Sequence, residues 1–156
     1  MRRTRRVDVV KVLVDTAMGR EKADLVIKGG FLVNVDSGEV LEGFDVAIKC
    51  GRIATIGTVD PAIGNETIVL NANGKYLVPG FLDGHVNVES SMITLTQFAR
   101  AVIPHGTTSI FIDPHEIANV FGSEGVRLMI DETKNLPIKV FTCVPSCVPS
   151  APEYET

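Results

Sequence analysis

The chain has 156 residues, 45% of them hydrophobic and 22% charged, with 15 Lys and Arg against 19 Asp and Glu for a formal net charge of -4. That length holds one ordinary domain or two small ones, and that composition excludes a largely disordered chain. Apolar runs are broken by Asp, Lys, Gly or Pro within a few residues, which excludes a bilayer-spanning segment and gives no reason to expect a membrane partner.

Residues 1–23 read as a tail and a helix. Arg2, Arg3, Arg5 and Arg6 hold four of the 15 basic residues, leaving 11 against 19 acids elsewhere. So acidic a body does not suit nucleic acid, and the cluster reads as a solvated tail. The start lacks the clean apolar core and small-residue cleavage site of a secretory signal, so a cytoplasmic location is expected. Val9, Val10, Leu13, Val14 and Ala17 recur at helical spacing, which predicts a packing helix over 7–19 with Gly19 as its stop.

From Asp24 the period shortens. β-type runs at 25–30, 31–35, 44–49, 52–57, 67–70 and 75–78 are separated by turn residues. These include Asp36-Ser37-Gly38, Cys50-Gly51 and an expected hairpin at Asn73-Gly74. About six strands in succession predict a small antiparallel sheet or half of a sandwich over 24–78.

At Pro79-Gly80 the character changes again. A buried-type strand is predicted over 81–88, and Thr94 with Gln97 three residues on offers a helix start. That helix stops at Pro104. A β-branched strand over 107–112, a helix over 124–133 and a strand over 139–144 follow. The order β-α-β-α-β with short joins implies a parallel sheet over 79–156. Cys143 and Cys147 have no further ligands nearby and read as two ordinary buried thiols, and three cysteines in all make no disulfide framework.

In parallel α/β folds, chemistry gathers at the C-terminal ends of strands. Here those ends are Asp83-Gly84-His85-Val86-Asn87-Val88-Glu89-Ser90-Ser91 and Asp113-Pro114-His115-Glu116, both dense in metal-ligand and acid–base types. Alternation puts Asp83, His85, Asn87 and Glu89 on one face for as long as the strand persists. One strand histidine alone is more often a satisfied core residue; two such edges favour catalysis. His105 lies at the opposite edge of the sheet and reads as structural.

Val78-Pro79-Gly80-Phe81-Leu82-Asp83-Gly84-His85 resembles the start of the barrel in the amidohydrolase superfamily. Three further runs, Glu89-Ser90-Ser91-Met92, Asp113-Pro114-His115-Glu116-Ile117-Ala118-Asn119-Val120 and Pro145-Ser146-Cys147-Val148-Pro149, resemble its adenine deaminase family, from about Val12 onward. The resemblance implies an α/β fold: an N-terminal sandwich-like unit followed by the first βαβαβ part of a TIM-type (β/α)8 barrel. It implies hydrolysis of adenine to hypoxanthine and ammonia by a metal-activated water. The divalent metal is expected to be manganese or iron, with zinc also fitting the donor types.

Carried over residue by residue, the resemblance implies His85 as a metal ligand, Glu89, Asp113 and His115 as catalytic groups, and Ser90 and Ser91 as substrate contacts. Asn87 stands where the family carries a second histidine ligand, and a neutral amide is a poor ligand beside imidazole. Three strands of an expected eight are present, so the chain is expected to be an incomplete barrel. It is expected to associate with further copies or with the remaining strands, and to deaminate poorly alone. A non-catalytic binding relative and a hydrolase of another cyclic amide are the alternative readings.

Overall fold

The apolar positions near the N-terminus fold as α1, Arg6–Ala17, in a computed structural model that describes residues 6–146 and Val148. Gly19, at φ 72°, takes the left-handed position after the helix, and its N–H donates to the Thr16 carbonyl. The arginine tail over 1–5 and Cys147 lie outside the described residues. The chain divides into two units, Met1–Pro79 and Gly80–Thr156.

In the first unit the strands are β1 (Leu25–Lys28), β2 (Phe31–Asn34), β3 (Glu39–Leu41), β4 (Asp45–Lys49), β5 (Arg52–Gly57), β6 (Ile68–Asn71) and β7 (Tyr76–Leu77). Among the described residues they form two sheets, ordered β5-β4-β1-β6 and β3-β2-β7. The single antiparallel sheet expected from the sequence is not what forms. β1 runs parallel to β6 and β2 parallel to β7, while the remaining pairs are antiparallel. Asn73-Gly74 is consequently no hairpin, because β6 and β7 belong to different sheets.

Gly74, at φ 71°, turns the chain from one sheet to the other, and Gly29-Gly30 does the same for β1 and β2 alongside it. The two crossings touch: a Cβ at Gly30 would lie 2.7 Å from Leu77 Cγ and 3.2 Å from Ala72 Cβ. The expected turn at Cys50-Gly51 does join two paired strands, β4 and β5, with φ of 52° and 67°, the left-handed pair that two-residue hairpins favour. α1 packs on β5 and β4. The core is small: Ala23, Val26, Ala47, Val59 and Ala62.

The second unit holds β8 (Phe81–Val86), a 3-10 turn at Val88–Ser91, α2 (Leu95–Val102), β9 (Thr107–Ile112), α3 (His115–Thr133) and β10 (Lys139–Thr142). The strands form a parallel sheet ordered β10-β9-β8. The β-branched run of β9 places Ile110 and Ile112, both fully buried, against Val88, Leu95, Ala99, Met129 and Ile138. Phe111 and Phe141 stack with ring centroids 4.6 Å apart.

Several expectations need correction here. The strand predicted over 81–88 ends at Val86 and is not of buried type: Phe81 is 64% and Leu82 58% exposed, because β8 is an edge strand. The helix predicted over 124–133 is the second half of α3, which begins at His115 and breaks at Gly122 (φ 58°, ψ −143°). The third strand ends at Thr142, and Cys143, just past it, is exposed and not the buried thiol expected. Among the described residues no helix is long and apolar enough to cross a membrane.

Candidate functional site

The two strand ends singled out by the sequence are brought side by side. β8 and β9 are adjacent, Val86 is in register with Ile112, and Asp113 N–H donates to the Val86 carbonyl (3.1 Å). The alternation expected along 83–89 does not survive. Asp83 pairs with Ile110 and Val86 with Ile112, three steps on β8 against two on β9, so an irregularity resets the faces at Gly84-His85. Beyond Val86 the chain leaves the strand at Asn87 and coils into the Val88–Ser91 turn, which Ser90 N–H to Asn87 O and Met92 N–H to Glu89 O close.

That turn faces the start of α3. Asn87 Nδ2 donates to Glu116 Oε2 (3.0 Å), and Ser90 Oγ donates to Glu116 Oε1. In return, Glu89 Oε1 accepts the backbone N–H of Ile117 (3.3 Å). Its other oxygen, Oε2, is buried with no hydrogen-bond partner among the described residues. Two carboxylates thus sit at the N-terminus of α3, where the helix dipole and free N–H groups favour negative charge. The hydrogen bond from Ser90 holds the Glu116 carboxyl below its ordinary value. Partial burial raises it, and the bond from Asn87, the helix backbone and nearby His115 outweigh that.

Asp113 and His115 form the third part. His115 Nδ1 lies 3.1 Å from Asp113 Oδ2, and His115 N–H donates to the Asp113 carbonyl, so the carboxylate fixes one ring nitrogen.

Of the residues named from the sequence, Asn87, Glu89, Ser90, Asp113 and His115 come together. His85 is exposed, its backbone N–H donating to Asp83 Oδ1 (3.1 Å). Ser91 turns its hydroxyl to the Val88 carbonyl, donating to it at 2.6 Å. Glu116 is the residue of the second strand end to which the sequence reading gave no role. The signal was a Glu just after Pro114, in the first turn of a helix that went unread.

Among the described residues no three His, Cys, Asp or Glu side chains converge to hold a metal ion. The donors on these two strand ends do not by themselves make a metal centre: Asn87 is engaged with Glu116, and His115 with Asp113. A cleft of about 700 Å³ lies in the first unit, walled by apolar residues such as Ile27, Leu32, Phe44, Ile53 and Tyr76, with no acid or base among its lining.

The family model described as Amidohydrolase family matches residues 76–156. The adenine deaminase of Moorella thermoacetica is 62% identical over 148 residues, 95% of this chain and 25% of that protein. The adenine deaminase of Mesorhizobium japonicum is 61% identical over 144 residues, 92% of this chain and 24% of that protein. Adenine deaminase 3 of Rhizobium meliloti is 56% identical over 149 residues, 95% of this chain and 25% of that protein. The chain therefore spans about a quarter of the length of these curated relatives. Among solved structures, that of an adenine deaminase aligns at a TM-score of 0.53 and 24% identity over 79% of this chain and 30% of that one. Phenylurea hydrolase B aligns at 0.56 and 17%, over 77% and 30%. At these identities the structures speak for the fold alone.

Proposed function

This chain belongs to the amidohydrolase family, and we propose that it works as part of an adenine deaminase, hydrolysing adenine to hypoxanthine and ammonia. The observation that carries the reading is the 62% identity with a curated adenine deaminase across 95% of the chain, including both strand ends. Within that reading, 24–78 is a sandwich-like unit and 79–156 the first βαβαβ part of a (β/α)8 barrel; the parallel order β10-β9-β8 supports it. The remaining strands, or further copies, complete the walls. The protein is cytoplasmic and serves purine metabolism.

Family membership implies a divalent metal in general; manganese or iron is our assignment, and zinc also suits the donors. When bound, such a metal supplies an activated water. His85 is this chain's imidazole for it. The chain's other groups bind and move protons. Glu116, held anionic by Ser90 and Asn87, accepts a purine N–H. His115, oriented by Asp113, exchanges a proton, and Glu89 lies beside them with one carboxylate oxygen without a hydrogen-bond partner among the described residues.

The test offers adenine, dihydroorotate and a hydantoin to the protein purified at its native length from the source organism. Ammonia from adenine alone is expected. Ring opening of a cyclic amide without ammonia from adenine would replace this reading by another substrate. A folded protein that turns over none of the three would favour the non-catalytic relative.

A further inference from the structure

Asn87 stands at the position where the resembling family's first strand carries an imidazole, yet its side chain is turned to a different task. Its Nδ2 lies 3.0 Å from Glu116 Oε2. An ionised carboxylate only accepts, so the group of Asn87 that faces it is the amide N–H and not the amide oxygen. Its backbone carbonyl meanwhile accepts Ser90 N–H (3.2 Å), and Ser90 Oγ donates to the other oxygen of the same Glu116. Glu89, two residues on, caps Ile117 N–H. One residue therefore stands at the centre of a set of bonds that ties the Val88–Ser91 turn to the first turn of α3. A neutral amide oxygen is a weak ligand where imidazole and carboxylate compete.

From this geometry we infer that Asn87 is a positioning residue: its amide N–H fixes Glu116 and the start of α3, it gives no ligand to a metal, and His85 is left as the imidazole donor of the first strand. The inference rests on the family reading and deepens it. Its test uses no adenine, so failure of the deaminase reading leaves it standing or falling by itself. The rival arrangement has Glu116 orienting Asn87 so that the amide oxygen binds metal, as outer carboxylates orient ligating groups elsewhere.

The test follows amide hydrogen exchange at Met92 and Ile117, and Mn²⁺ affinity by calorimetry, in the native-length protein. Its variants are Asn87→Ala, Asn87→Asp, Glu116→Ala and the Asn87→Ala/Glu116→Ala double. The isosteric Asn87→Asp keeps the shape and replaces the amide donor by a second carboxylate that repels Glu116, so it serves where Asn87→Ala folds poorly. Asn87→Ala and Asn87→Asp should speed exchange at both amides by about 10–100-fold, the loss of one charge-assisted hydrogen bond, and Glu116→Ala, which loses two, by at least as much. The double variant should go no faster than the faster single, and Mn²⁺ affinity should stay within about twofold in Asn87→Ala. Exchange that is unchanged in the single variants, or that multiplies in the double, would overturn the inference. So would a loss of Mn²⁺ affinity of about tenfold or more in Asn87→Ala.

Discussion

Glu89 and Glu116 sit at the same helix start and do opposite things: one leaves an oxygen buried and uncommitted, the other has both oxygens held by donors. A held carboxylate has a fixed direction, which is what recognition of a purine N–H needs. Glu116→Gln keeps the shape, loses the charge and presents an NH₂ to one of its two donors. In the native-length protein it should lower kcat for adenine by about 100-fold or more, with the fold unchanged by circular dichroism. Unaltered turnover would remove Glu116 from the site. His85, Glu89, Asp113 and His115 were legible as candidates, not as roles, because their types and spacing stand out in the chain. Glu116 was not, since its partners Asn87 and Ser90 are 29 and 26 residues away and only the β8–β9 pairing brings them to it.

α2 shows how a short helix is held. Thr94 Oγ1 accepts Gln97 N–H (3.4 Å), and Glu132 of α3 receives Leu95 N–H (3.3 Å) and Thr96 N–H (2.7 Å). Burial raises the Glu132 carboxyl, but the bonds from Thr96, Thr94 and Leu95 together bring it below its ordinary value. A carboxyl depressed in the fold stabilises above its unfolded value, and that stabilisation fades as pH falls through the lower folded value. Glu132→Gln should therefore lower the melting temperature at pH 7 and make little difference near pH 3; an equal loss at both would show that the charge is irrelevant.

α3 gives a second prediction at this scale. Gly125 is buried, and a Cβ there would lie 2.6 Å from the Ile117 carbonyl oxygen across the Gly122 break. Alanine's helix preference is worth about 1 kcal/mol, whereas a clash with rigid backbone costs about 1–3 kcal/mol. Gly125→Ala should thus destabilise on denaturant melting, and a stabilised variant would contradict the close approach. The Thr94 helix start and the strand over 107–112 were readable from local signals. The first half of α3 was hidden because Gly122 interrupts its period, and the end of β8 because alternating residues run on past the point where pairing with β9 stops.

For the molecule as a whole, the second unit presents a parallel sheet whose outer strands β8 and β10 pair with no further strand among the described residues, and Phe81, Leu82 and Phe141 remain 64%, 58% and 45% exposed. Parallel sheets are ordinarily covered on both faces. The 156-residue chain by itself should self-associate on sedimentation as concentration rises, and a monodisperse monomer would contradict that. The change of character at Pro79-Gly80 was visible in sequence, next to the observed division at Pro79. The crossing of two strand pairs between sheets in the first unit was not, because parallel partners such as β1 and β6 are about 40 residues apart and leave no local mark.

The central claim, that these residues form the strand-end part of an adenine deaminase, is tested most directly by grafting. The matching 148 residues of the Moorella thermoacetica relative are replaced by this chain, and ammonia release from adenine is measured with Mn²⁺ present. The account predicts that the graft deaminates adenine and loses at least about 100-fold on Glu116→Gln. A folded graft that binds metal yet releases no ammonia from adenine would contradict it.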